Sequence, residues 1–175
     1  MLIRMWNWMS RKPAYGYGVL MVCAGNICRS PTAEGVLRQR LVELDLHRRI
    51  LVDSAGTYPQ TGQPPDPRTQ AAARKRGYDL AKLRARPVQA ADFERFDLIL
   101  AMDDHNLERL RELCPVEHHA KLALLLAHAA PRAELREVPD PYYGPPEGFE
   151  RVLDLIEAAC APLAQALLRQ GGTGP

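Results

Sequence analysis

What this chain has little of narrows its chemistry before any motif is read. Its 175 residues include only four cysteines, Cys23, Cys28, Cys114 and Cys160, and only the first two stand close together. A chain this long can bury a core without disulfide staples, so sparse thiols point to a reducing, cytoplasmic setting. The close pair is spaced C-x4-C, with no second close pair and no His-x3-His, which argues against a zinc site. No tract of one charge is present, because 23 basic and 21 acidic residues are interspersed to a net charge of +2. That pattern argues against nucleic acid as a partner. No apolar run is long enough to span a bilayer. The start, Met1 to Lys12, is broken by Arg4, Asn7 and Arg11 and lacks the small-residue cleavage site of a signal peptide. No internal repeat is visible.

What is there reads as one domain, since 46% hydrophobic residues in a chain of this length supply one core rather than two. Val19 to Val22 is a short apolar run of the kind found in buried strands. Ile50 to Val52 and Phe96 to Met102 read as further strands, and Lys121 to Leu126 as a fourth, with helix the competing reading there. Helical spacing follows Ser30, through Ala33, Val36, Leu37, Leu41 and Leu44, with Ser30 as cap and Pro31 in the first turn. Further helices are expected over Pro67 to Arg76, stopped by Gly77, over Asp103 to Leu113, and along Phe149, Val152, Leu153, Ile156, Ala159 and Leu163. Strands alternating with helices predict an α/β domain: a central four-stranded parallel sheet with helices on both faces. Residues 19–169 form that domain, after an N-terminal extension over 1–18, possessing both Trp6 and Trp8, and before a tail over 170–175. Cys114 and Cys160 read as core-facing helix residues. The five histidines, His47, His105, His118, His119 and His128, fall outside every chemical motif.

The chemistry concentrates at Cys23-Ala24-Gly25-Asn26-Ile27-Cys28-Arg29-Ser30-Pro31, a tight loop between the first strand and the first helix. Backbone N–H groups curled around one point and followed by a helix N-terminus make an anion site, with phosphate the obvious guest. A cysteine at the base of that loop is held as thiolate by the same field and becomes a nucleophile. Arg29 closes the ring, where its planar fork can bind phosphoryl oxygens. Ser30 can donate to the sulfur. A leaving alkoxide or phenolate needs a proton, and Asp140, on the stiff loop Asp140-Pro141-Tyr142-Tyr143-Gly144, is the candidate general acid. Tyr142 and Tyr143 supply an aromatic rim. The bare spacing C-x5-R is weak; the strand before it, the helix after it and the distant Asp-Pro-aromatic loop give it weight.

These residues resemble the low-molecular-weight protein tyrosine phosphatases, with a likeness running from about Val19 to Leu168. Asp53-Ser54-Ala55-Gly56-Thr57, Pro64-Pro65-Asp66-Pro67-Arg68, Ala85-Arg86 and Ala101-Met102-Asp103 are similar to further segments of that family. The resemblance implies hydrolysis of protein phosphotyrosine through a phosphocysteine, with Cys23 as nucleophile, Arg29 as phosphate clamp and Asp140 as general acid. It implies a loop-fixing network of Asn26, Ser30 and Ser54, a supporting role for Asp103, and no metal or organic cofactor. Ala24, Gly25, Ile27 and Cys28 complete the phosphate loop, and Cys28 matches a second cysteine able to form a reversible disulfide with the nucleophile. Tyrosine-phosphorylated proteins are the implied partners, a bacterial tyrosine autokinase among them. Three departures stand out. Leu83 occupies a place where family members often carry His, the loop after Thr57 is about one residue short so that the aromatic wall there is either Tyr58 in a shifted position or absent, and the first eighteen residues have no counterpart.

Three other readings compete. An arsenate reductase of the same fold needs two relay cysteines; its first relay position is Met102 or Asp103 here, and Cys114 alone cannot do the work of two. A protein-arginine phosphatase carries Thr where Ile27 stands, and Ile27 suits an aryl phosphate better than a guanidinium. A non-catalytic phosphate-binding module is expected to lack Cys23 or Asp140, and both are present.

Overall fold

Strand β1 (Tyr17–Cys23) is the spine of the molecule, and Val19, Leu20, Met21 and Val22 within it are wholly buried. A strand covered on both faces needs apolar side chains on both, so its sequence shows a run rather than an alternation. The computed structural model describes residues 15–129 and 135–171. Most of the expected N-terminal extension and the end of the tail lie outside the described residues, as do Trp6 and Trp8.

β1 pairs in parallel with β2 (Ile50–Gly56) on one side and β3 (Leu98–Ala101) on the other, and β4 (Leu122–Leu124) lies beyond β3. The strand order is therefore β2-β1-β3-β4. All four strands are parallel, as the sequence predicts. Successive side chains of β1 feed two separate cores. Val19 and Met21 join α1 (Arg29–Glu43), α2 (Pro67–Lys75) and α5 (Glu147–Gly171) through Val36, Leu37, Ala73, Val152 and Ile156. Leu20 and Val22 join α3 (Ala90–Arg95) and α4 (Asp104–Leu113) through Phe93, Leu107 and Leu110. Cys160 and Cys114 are buried in the first and second of these cores respectively, and burial pushes the Cys160 thiol up to about 12.

Four local differences from the sequence reading have physical causes. β1 starts at Tyr17, two residues early, because Tyr17 and Gly18 pair with Ile50 and Leu51. α1 is preceded by Cys28 as its cap residue, without a side-chain capping bond, rather than by Ser30. The Ser30 hydroxyl is used inside the preceding loop instead. α3 was unmarked by any long periodicity; six residues suffice because Gln89 and Asp92 close a reciprocal capping box. The alanine and leucine content after Lys121 splits between strand and helix, with three residues of β4 passing into a 3₁₀ turn over Leu125–His128. α2 ends as expected, with Gly77 at φ +87°.

β1 connects through α1 to a neighbour on one side, and β2 leads back to a neighbour on the other. The strand order thus reverses at β1, and a crevice opens at the carboxyl ends of β1, β2 and β3. Gly56, paired with Cys23, shapes that crevice: a Cβ there would lie 2.6 Å from the Ala24 carbonyl oxygen and 3.1 Å from Asn26 Cβ. Backbone cannot yield cheaply to such a clash. Gly56→Ala is expected to lower stability by about 1–3 kcal/mol, which urea denaturation measures.

Candidate active site

Residues 23–29 leave β1, turn through Asn26 in the left-handed region at φ +55°, and enter α1. Asparagine tolerates that conformation because its short polar side chain bonds locally. The turn brings the Asn26 N–H within 3.2 Å of Cys23 Sγ, and Ser30 Oγ within 3.0 Å of the same sulfur. Cys23 is buried except at the crevice, with 3% of its surface exposed. Cys28, buried beside it, has its thiol pushed up to about 12, by desolvation above all, against a hydrogen bond with Thr69.

Arg29 is 3% exposed. Such a charge needs partners, and two segments supply them. Nη1 donates to Asp103 Oδ2 at 2.5 Å and to the Val138 carbonyl at 3.1 Å, while Nη2 donates to Asp140 Oδ2 at 3.3 Å. Burial disfavours the charge, but negative groups at Cys23, Asp103 and Asp140 outweigh it and raise the Arg29 pKa. Asp103 also caps α4, its Oδ1 accepting from the Asn106 N–H at 2.7 Å.

A second layer of hydrogen bonds fixes the turn. Asn26 Nδ2 donates to Ser30 Oγ and to Ser54 Oγ, each at 2.9 Å, and Asn26 Oδ1 accepts from the Arg86 N–H at 3.0 Å. Ser54 Oγ in turn donates to Glu34 Oε2 at 2.5 Å. Thr57 N–H and Tyr58 N–H bond to the carbonyls of Cys23 and Ala24, so the exit of β2 grips the loop as well.

Cys23, Ala24, Gly25, Ile27, Cys28 and Arg29 form the floor of a cavity of about 580 Å³, and Tyr58, Tyr142, Tyr143 and Asp140 line the same cavity. Tyr142 and Tyr143 meet edge to face with centroids 4.9 Å apart, and Arg109 sits 5.5 Å over the Tyr58 ring. Asp140 stands half exposed at the mouth, and its Oδ1 accepts the Tyr142 N–H at 3.1 Å. Every site residue expected from the sequence is thus drawn into one constellation. Among the described residues no group of three or more His, Cys, Asp or Glu side chains is placed to hold a metal. No helix among them is long and apolar enough to cross a membrane.

A family model described as low molecular weight phosphotyrosine protein phosphatase matches residues 18–172. The chain belongs to this family. It is 44% identical over 158 residues to a low molecular weight protein-tyrosine-phosphatase of Streptomyces coelicolor, covering 88% of this chain and 95% of that one. The human low molecular weight phosphotyrosine protein phosphatase is 38% identical over 144 residues, covering 81% of this chain and 90% of the relative. A crystal structure of a protein tyrosine phosphatase from Entamoeba histolytica, with Hepes in its active site, superposes with a TM-score of 0.83 at 39% identity. That match covers 89% of this chain and 99% of the other. Membership makes the protein a hydrolase of phosphoric monoesters in the protein-tyrosine-phosphatase class.

Within this phosphatase frame, Leu83 lies partly buried against the main core and offers no polar atom to the Asn26–Ser54 network. The network closes on Glu34 instead, a residue the sequence reading passed over. Glu34 is 2% exposed and is held from the solvent side by Arg38, four residues on, at 2.7 Å. The available signal was its spacing: Glu34 shares a helical face with Leu37 and Leu41, where an acid is out of place unless paired.

Desolvation raises the Glu34 pKa, against the lowering effects of Arg38 and of the Ser54 hydrogen bond. The folded state therefore holds this proton more tightly than the unfolded chain does. Stability from this group falls as pH rises from the ordinary glutamate value through the raised one. Relative to wild type, Glu34→Gln should accordingly gain stability as pH increases through that window. Urea denaturation of both proteins at mildly acidic and neutral pH checks the sign.

Proposed function

We propose that this phosphatase hydrolyses phosphotyrosine in proteins through a phosphocysteine on Cys23, with Arg29 clamping phosphate and Asp140 serving as general acid and then base. The observation that carries the reading is the convergence of Cys23 Sγ, the buried Arg29 fork and the Asp140 carboxyl on one cavity with an aromatic rim. The Asn26 N–H donates to the sulfur, and Ser30 Oγ lies within hydrogen-bond distance of it.

In the first step the Cys23 sulfur attacks phosphorus; the S–P bond forms and the bond to the tyrosine oxygen breaks. Asp140 gives its proton to the departing phenolate. In the second, Asp140 takes a proton from water, whose oxygen attacks phosphorus; the S–P bond breaks, releasing inorganic phosphate and restoring Cys23. Charge on the equatorial oxygens is met by Arg29 and by loop N–H groups at the start of α1. Arg29 Nη2 faces Asp140, so an incoming phosphoryl group competes for that donor and frees the carboxyl. The support network of Asn26, Ser30 and Ser54 keeps the loop curled, and Asp103 keeps Arg29 aimed. Ile27 at the cavity floor and Tyr58, Tyr142 and Tyr143 at its rim suit an aryl phosphate.

The reductase reading loses support because Cys114 belongs to the core on the opposite face of the sheet from Cys23. All four cysteines are free, which accords with a reducing, cytoplasmic site of action for a thiol nucleophile. A tyrosine autokinase as partner rests on the family resemblance; a Cys23→Ser trap that recovers no tyrosine-phosphorylated protein would count against it.

The test is hydrolysis of phosphotyrosine, phosphoserine and phosphoarginine peptides with EDTA present. Wild type should prefer phosphotyrosine, Cys23→Ser should be inactive, and Asp140→Ala should lose ~10²-fold or more in kcat. Phosphate binding without turnover by wild type, or full activity in Cys23→Ser, would overturn the mechanism.

A further inference from the structure

The general-acid loop and the phosphate loop come from distant parts of the chain, yet the reaction needs Asp140 held over Cys23 within a fraction of an ångström. Asp140 is half exposed, and its contact with Arg29 must yield to substrate, so something else has to hold the loop. Arg68, in the first turn of α2, is placed to do so. Its Nε and Nη2 grip both oxygens of Asp66 at 3.0 and 2.8 Å, and Asp66 also accepts the Arg68 N–H at 2.8 Å. Asp66 is tied to the phosphate loop, its own N–H donating to the Ile27 carbonyl at 2.9 Å.

The remaining arm of Arg68 reaches the other loop. Nη1 donates to the Tyr142 carbonyl at 3.1 Å, and the guanidinium lies 5.3 Å from the Tyr142 centroid and 4.7 Å from that of Phe149. The Tyr142 N–H, on the same residue, donates to Asp140 Oδ1. A continuous chain of contacts thus runs from Ile27 through Asp66, Arg68 and Tyr142 to the Asp140 carboxyl. As an ion pair with a side chain 44% exposed, Arg68 adds little to global stability, so its value lies in geometry. Lysine cannot replace it, because only a planar fork grips a carboxylate and a carbonyl at once.

We propose that Arg68, oriented by Asp66, is a positioning residue that sets the aim of Asp140 and with it the efficiency of proton delivery to the leaving group. This rests on the reading of Asp140 as the general acid. The bracket acts on proton transfer and leaves phosphate capture to the loop itself.

The experiment compares kcat/KM for phenyl phosphate, whose leaving group needs protonation, with that for p-nitrophenyl phosphate, whose leaving group needs it far less. Wild type, Arg68→Ala, Arg68→Lys, Asp66→Asn and Asp140→Asn are measured together, with vanadate inhibition and thermal melting alongside. Arg68→Ala should lose ~10-fold or more on phenyl phosphate and under about 3-fold on p-nitrophenyl phosphate, with vanadate affinity retained. Arg68→Lys should recover little of the loss, and Asp66→Asn should show the same selectivity more weakly. A damaged rim would slow both substrates equally, so equal losses, or none, overturn the proposal. If Asp140→Asn shows the selectivity and Arg68→Ala does not, the positioning role fails alone. If Asp140→Asn shows none, the general-acid reading fails and carries this inference down with it.

Discussion

The site depends on a buried positive charge. Arg29 sits at the end of the phosphate loop with almost no exposure, and a guanidinium there would destabilise the fold by several kcal/mol if left unpaired. Its two terminal nitrogens draw in Asp103 from the end of β3, the Val138 carbonyl and Asp140 from the last loop. One side chain therefore gathers segments that are 74 to 111 residues away from it. In the proposed mechanism the same charge also meets the phosphoryl group, so removing either acid is expected to alter more than one property.

Around that centre the chain controls shape mainly through hydrogen bonds to the loop backbone and its small polar side chains. Asn26 links Ser30, Ser54 and the Arg86 N–H, and Gly56 lets β2 approach where any side chain would collide. Glu34 and Arg38 take the far end of this network, while Leu83 turns to the core. A loop supported from several sides has its shape fixed before any ligand arrives, which is the preorganisation that the proposed mechanism needs.

Much of this was legible in the sequence for reasons that can be named. Buried parallel strands announce themselves as apolar runs, so β1 and the sheet were readable from Val19 to Val22 and its counterparts. The strand–turn–helix context made Cys23 to Pro31 stand out, and Asp140 followed from the need for an acid on a stiff loop. What stayed hidden was set by tertiary contact. The short α3 rests on a local capping box, and serine before proline usually caps a helix. The Ser30 hydroxyl instead turns toward Cys23 and Asn26, a choice fixed by the loop's curvature. Glu34 and Arg68 gain their significance only when Ser54 and Tyr142 are brought beside them.

The central claim is that phosphate passes through a covalent bond to Cys23. Its most direct measurement is rapid quenching of the enzyme during turnover of a phosphotyrosine peptide, followed by mass spectrometry of the denatured protein. The account predicts a transient phosphoryl group on Cys23 and on no other residue, appearing with the first equivalent of free tyrosine peptide. Burst-free turnover with an unmodified Cys23, or phosphate carried on another side chain, would contradict it.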